Sequence, residues 1–244
     1  MGIINQTKLS VNINKLATIR NARGGNNPDI LQMAKKIESY GAHGITIHPR
    51  PDQRHIRFSD VYALKDILTT EFNIEGYPSN DFVKMVLEVK PAQVTLVPDP
   101  PDVLTSNAGW DTISNAVFLK DLIDEFKANG IRTSIFLNPD PTMLESAAKT
   151  GCDRIELYTE GFASGFHKNA HQAIAPYIES AVKAHEFNLG INAGHDLDLH
   201  NLHFFASHIP NLLEVSIGHA LICDALEYGM SNTVKLYLNA LKAQ

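Results

Sequence analysis

The sequence predicts a (β/α)8 barrel, and three observations carry that reading. An amphipathic helix, a glycine and a short β-branched strand recur as one phrase, as in KKIESYGAHGITIH, DEFKANGIRTSIFL, ESAAKTGCDRIELY and KAHEFNLGINAGH. Eight such strands can be counted, each separated from the next by a helical pattern, which implies parallel strands with crossover helices. The length of 244 residues suits eight strand-helix units in one domain, predicted to span 1–244.

The first strand is VNIN, ending near Asn12 and Asn14. Residues 28–40 follow as a helix, with Ile30, Met33, Ala34, Ile37 and Tyr40 at the i, i+3, i+4, i+7 spacing that lines one face, and Gly41 stops it. GITIH is the second strand, and NIEG, QVTLV, TSIFL, RIELY, GINA and EVSIG are the third to eighth. Helices are predicted over 59–70, 79–90, 111–129, 140–150, 169–187, 198–208 and 219–228, with another near 230–242. Asn129-Gly130 resembles a hairpin turn, yet Leu119, Leu122, Ile123 and Phe126 before it keep helical period, so Gly130 reads as a helix stop. A doubly wound open sheet is the competing architecture; no GxGxxG opens the first strand-helix turn, as a dinucleotide fold would require.

Composition narrows the function classes. A net charge of -6 and a pI near 6.0 argue against a general nucleic-acid binder. No apolar run approaches a membrane span, and MGIINQTKLS lacks the pattern of a signal peptide, so a cytoplasmic protein is expected. Cys152 and Cys223 stand far apart without a CxxC, which leaves both expected as buried thiols.

Barrels place their chemistry at the C-terminal ends of the strands. The residues there are Asn12, Asn14, His48, Arg50, Glu75, Asp99, Asn138, Glu156, His195, Gly218 and His219. Acids and histidines at inward strand ends are partly desolvated and need partners, so a ring of them reads as functional. The remaining histidines fall on helical patterns or before strands, where surface or core roles suffice. After Ile47, the stretch HPRPDQRHIR gathers His48, Arg50, Arg54 and His55, and guanidinium forks pair phosphate oxygens. SIGHALI puts Gly218 before a helix start whose free N–H groups suit phosphate, and NARGGNNPDI adds Arg23 beside two glycines. Phosphorylated small molecules are the expected substrates.

The phrases VNINKLATIRNARGG, GITIHPRPDQRHI, NIEGY, RIELYT, NAGHDL and IGHALI, in this order, resemble the pyridoxine 5′-phosphate synthase family over essentially the whole chain. The resemblance implies a (β/α)8 TIM barrel with additional helices, assembled as a homo-octamer. It implies condensation of 1-deoxy-D-xylulose 5-phosphate with 3-amino-2-oxopropyl phosphate to pyridoxine 5′-phosphate, with neither metal nor other cofactor, since proton transfers and eliminations suffice. Carried over by position, His48 and Glu75 are proton acceptors, His195 is a proton donor and Glu156 stabilises cationic intermediates. Asn12, Asn14, Lys15, Arg23, Arg50, His55, Ser106, Asp196, Gly218 and His219 surround the substrates. Three positions depart from the family pattern: Asn14-Lys15 stand where an acid and a histidine are usual, Asp196 where glycine is usual, and Ser106 where threonine is common.

Two rival readings remain. Asp196, Asp198, His200 and His203, with His48 and His55, have the atoms of a metal-dependent hydrolase or aldolase site. A barrel kept only for binding phosphometabolites is the other, and the presence of both Glu75 and Glu156 weighs against it.

Overall fold

The computed structural model describes residues 6–99 and 108–242. Its eight strands close a parallel barrel in chain order: β1 (Lys8–Asn12), β2 (Gly44–Ile47), β3 (Glu71–Gly76), β4 (Gln93–Leu96), β5 (Arg132–Leu137), β6 (Arg154–Tyr158), β7 (Gly190–Gly194) and β8 (Leu212–Ile217). Register runs Val11 beside Ile45, Ile45 beside Phe72, and onward until Val11 also lies beside Ile217, which closes the ring. All eight predicted strands are present.

Alternation within the strands sorts two surfaces. Leu9, Val11, Ile45, Ile47, Ile74, Val94, Ile135, Ile155, Val215 and Ile217 are fully buried in the hydrophobic core, which the helices complete. The alternate residues point inward and are mostly polar or glycine, with Phe136 an apolar member. Ser10 Oγ pairs with Thr46 Oγ1 at 2.7 Å, Asn73 bonds Thr46 at 3.4 Å, and Thr95 Oγ1 donates to Asn73 at 3.1 Å and to Glu156 at 3.5 Å. Contacts between non-adjacent strands, such as β4 with β6, are possible only across the interior. Below this belt an ionic layer forms: Lys8 and Arg132 both engage Glu71, and Arg154 lies 3.6 Å from Glu214. Branched apolar residues usually fill such interiors. Here hydrogen bonds and ion pairs do.

The helices are α1 (Asn14–Arg23), α2 (Ile30–Ser39), α3 (Phe58–Lys65), α4 (Asn80–Val89), α5 (Ala116–Ala128), α6 (Leu144–Lys149), α7 (Glu160–Glu186), α8 (Leu202–His208), α9 (His219–Tyr228) and α10 (Met230–Ala240). Side chains fix several starts, since Asp29 accepts the Gln32 N–H and Ser79 that of Phe82. Gly130 has φ +76° beyond α5, the left-handed stop expected of it.

Several helical expectations need correction: α3 ends at Lys65 rather than 70, and α5 starts at Ala116 rather than 111. α1 was not anticipated, because its buried face is Leu16, Ala17 and the guanidinium-bearing Arg20, which interrupts any apolar period. α7 begins nine residues earlier than expected and bends at Asn169, whose φ of -161° breaks the helix and whose Oδ1 accepts the Gln172 N–H to start it again. The helix expected over 198–208 starts only at Leu202, since the Asp198 carboxylate takes the N–H groups of His200 and Asn201 in a turn.

Candidate active site

The C-terminal mouth of the barrel collects Asn12, His48, Glu75, Glu156 and His195 from β1, β2, β3 and β6 and from the end of β7. Glu75 Oε2 accepts from Asn12 Nδ2 and its Oε1 from Ser216 Oγ, both at 3.4 Å. Burial pushes the Glu75 carboxyl up to about 7, against the opposing charge of His195 and the Ser216 hydrogen bond. Arg50 lies 3.6 Å from Asp99.

Glu156 is raised well above the usual carboxylate range by burial first, then by Glu75 and Glu214. Gly194 is required beside it, because a Cβ there would stand 2.8 Å from Glu156 Oε1 and 2.6 Å from the Ser216 carbonyl. His48 is buried, and that burial, with Arg50, His55 and His195 nearby, holds its pKa well below the ordinary histidine value. This favours the uncharged imidazole.

His195 differs. Burial would lower its pKa, yet the hydrogen bond and charge of Asp196, with Glu75 and Asp99, raise it overall. Its Nδ1 lies 2.7 Å from Asp196 Oδ2, and the Tyr158 ring meets it edge-on at 5.4 Å. Asp196 thus engages His195 rather than standing free toward a ligand.

α1 positions much of what surrounds the mouth. Asn12 Oδ1 accepts the Asn14 N–H, and Asn14 Oδ1 accepts the backbone N–H of His48, both at 3.0 Å. The Asn14 carbonyl oxygen is therefore already occupied. Arg20, 1% exposed, makes a bidentate pair with Asp60 at 2.7 and 2.8 Å and reaches the His55 carbonyl at 3.1 Å. Asn21 Nδ2 also donates to that carbonyl, at 2.7 Å. His55 is thereby held 6.5 Å, centroid to centroid, from His48, and burial followed by Arg50 and Arg54 lowers its pKa to about 4. Arg54 pairs with Asp52 at 2.6 Å. Lys15 is exposed on α1, near enough to His55 to act on it by charge.

Gly218 ends β8 and starts α9. A Cβ there would meet Asn12 at 3.1 to 3.3 Å, and no side chain caps the helix start, so its N–H groups are left for a ligand. His219 opens α9, with its Nε2 3.7 Å from Cys223 Sγ; that thiol is exposed, not buried as expected, because it sits on the outer face of α9. A cavity of about 120 Å³ opens beside His48, lined by Arg50, Phe58, Tyr77, Phe82 and Asp99. Arg23 sits exposed in the last turn of α1, away from these contacts. Ser106 lies outside the described residues.

Sequence reasoning passed over Thr95 and Ser216 as partners of the ring acids, and over Asn73, which bonds Thr95 and Thr46; all three read as ordinary strand residues. Their signal was the inward parity they share with Glu156 and Glu75. The donors of the rival metal site are dispersed: Asp198 is spent on its turn, His203 bonds the Ala240 carbonyl, and among the described residues no three suitable side chains cluster.

Proton donors and acceptors held at the mouth of a closed parallel barrel place the chain among the (β/α)8-barrel enzymes. Solved structures agree on the fold: a tryptophan synthase chain from M. tuberculosis superposes with a TM-score of 0.67, covering 99% of this chain and 95% of that one, at 10% identity. The family model "Pyridoxal phosphate biosynthesis protein PdxJ" matches residues 9–243, and the chain belongs to that family. Curated relatives named pyridoxine 5′-phosphate synthase include those of Cytophaga hutchinsonii, 62% identical over 97% of this chain and 99% of the relative, and Christiangramia forsetii, 61% identical over 97% and 100%.

Proposed function

We propose that the chain closes the pyridine ring of vitamin B6, condensing 1-deoxy-D-xylulose 5-phosphate with 3-amino-2-oxopropyl phosphate to give pyridoxine 5′-phosphate, phosphate and water. Near-full-length identity to pyridoxine 5′-phosphate synthases supports the reaction. The observation that carries the chemistry is the gathering of Glu75, His48 and His195 at one barrel mouth, with the Glu75 carboxyl pushed up to about 7, His48 held well below the ordinary histidine value and His195 raised above it. His48 and Glu75 accept protons during imine rearrangement and ring closure. His195 donates one to a departing oxygen. Glu156, whose ionised form burial disfavours, is favoured toward ionisation by a cationic intermediate beside it, which is how it stabilises that species.

The amino ketone phosphate sits at Asn12, Gly218 and His219, against the open start of α9. Arg50, His55, Lys15, Asn14, Arg23 and Ser106 surround the remaining substrate groups. One catalytic barrel spans 1–244, works as a homo-octamer in the cytoplasm, and needs no metal or other cofactor. Among the described residues no helix is long and apolar enough to cross a membrane.

The test is incubation with both substrates in the presence of EDTA, following pyridoxine 5′-phosphate and released phosphate together. Equal amounts of the two products are expected. No product from the folded protein would remove the reading. Product formation that EDTA abolishes and a divalent ion restores would remove the acid-base mechanism.

A further inference from the structure

Regular strands send neighbouring side chains to opposite faces, so His195 and Asp196 should not meet. They do, because the chain turns sharply where β7 ends. His195 has φ +94°, a conformation that non-glycine residues rarely adopt and that surrounding structure must enforce. The enforcement is visible. The His195 N–H bonds the Ser216 carbonyl at 3.3 Å, Asp196 N–H bonds Thr159 Oγ1 at 3.2 Å, and Thr159 Oγ1 donates to the Gly194 carbonyl at 2.6 Å. Asn201 Nδ2 reaches the Asp196 carbonyl at 3.4 Å. The outcome is a carboxylate oxygen 2.7 Å from one imidazole nitrogen.

We propose that Asp196 is a positioning residue, holding the proton on His195 Nδ1 so that Nε2, on the opposite edge of the ring, is the nitrogen that exchanges protons with substrate. The inference deepens the ring-closing function above and rests on it for the identity of the proton's destination. In the donating step the Nε2–H bond breaks and an O–H bond forms on the departing group. The imidazole left behind is neutral, and the Nδ1 proton stays shared with Asp196.

A substrate-ligand role for Asp196 fits less well. Its carboxylate would repel phosphate, and its Oδ2 is already engaged. The other groups facing His195 are Glu75 from β3, Asp99 after β4, Tyr158 from β6 and His48 from β2. Glu75 and Asp99 favour the imidazolium as Asp196 does, while His48 opposes it when charged. Asp196 alone among them bonds the ring directly, and it therefore sets orientation as well as charge.

The experiment compares the parent, Asp196→Asn and Asp196→Glu by two readouts: the NMR titration of His195 without substrate, and kcat and KM for both phosphosubstrates from pH 6 to 9. Asp196→Asn keeps an acceptor oxygen but loses the charge. It should lower the His195 pKa by about one unit and move the alkaline limb of kcat down by the same interval. Turnover above pH 8 should then fall by roughly tenfold, with the loss shrinking toward pH 6 and each KM within about threefold. Asp196→Glu, which retains the charge, should restore most of the limb. An unmoved titration and limb in an active Asp196→Asn enzyme overturns the proposal. So does a loss confined to KM, which would make Asp196 a substrate ligand. A shifted titration in proteins that form no pyridoxine 5′-phosphate keeps the pair and removes the function it was assigned to.

Discussion

At the scale of single residues, burial and local charge assign opposite roles to chemically similar groups. Glu75 and Glu156 are both inward carboxylates, but Glu75 faces the opposing charge of His195 and rests near 7, whereas Glu156 has no such partner among its causes and is raised well above the usual carboxylate range by burial, Glu75 and Glu214. Because these groups sense one another, the steps seen in a pH-rate profile belong to the set rather than to one side chain. Glu75→Gln separates them, since the amide keeps the shape and loses the basicity. Turnover should drop by roughly 10²-fold or more, with equilibrium binding of each phosphosubstrate much less affected. Single-turnover kinetics beside binding measurements check this, and near-normal turnover would leave the proton transfers at carbon to His48. Gly218 is a different case, a residue defined by what it lacks. Any Cβ enters the space of Asn12, so Gly218→Val should weaken binding of 3-amino-2-oxopropyl phosphate at least tenfold through the α9 start while the far-ultraviolet circular dichroism stays native. Calorimetric titration reads the affinity, and an unchanged value moves the phosphate elsewhere.

At the scale of elements, α1 links a buried ion pair to the geometry of the site. Arg20 and Asp60 tie α1 to the start of α3, and the His55 carbonyl hangs on the same guanidinium. Arg20→Met would fill much of the volume but leave Asp60 buried without its cation. A loss of about 3 kcal/mol is expected in urea unfolding, with a rise in KM from the released loop exceeding any fall in kcat. Equal stability of parent and variant would show the pair to be dispensable. The same helix marks the limit of what the sequence discloses. Strands were legible because Val, Ile and Leu alternate with polar residues over short runs, and most helices because their apolar period is intact. α1 was not, because its third inward residue is an arginine whose partner lies 40 positions away. The site divides similarly. Residues that end strands, such as His48, Glu75, Glu156 and His195, could be placed from position alone. The bond from Asn14 to the His48 backbone, the pairing of Arg50 with Asp99 and the turn that brings Asp196 onto His195 depend on loop geometry, which no spacing encodes.

At the scale of the whole molecule, a barrel lined with polar groups carries its function as a cost in stability. Glu75, Glu156 and Glu214 all have raised folded-state pKa values, chiefly through burial. For such a carboxyl the folded protein holds a proton that the unfolded chain has released, so stability falls as pH rises from the unfolded value toward the folded one. His48 and His55 act in the opposite sense: lowered in the fold, they take stability away as pH falls below about 6.5. The two trends overlap between about pH 4.5 and 6.5 and partly cancel, which flattens the parent's stability there. Glu75→Gln removes one member of the first set and leaves the second intact. Relative to the parent, the variant should therefore gain stability between about pH 4.5, the unfolded carboxyl value, and about 7, the folded one, and hold that gain above it. The gain is on the order of 2 kcal/mol, since a shift of one unit is about 1.4 kcal/mol and the mouth is partly open to water. In a chain of this length that corresponds to a rise in Tm of roughly 4–8 °C at pH 8, and to little difference at pH 4. Scanning calorimetry of both proteins across this range tests it. A Tm difference independent of pH would mean that Glu75 titrates alike in the folded and unfolded chain, and its role as a base poised near neutrality would lose its physical ground.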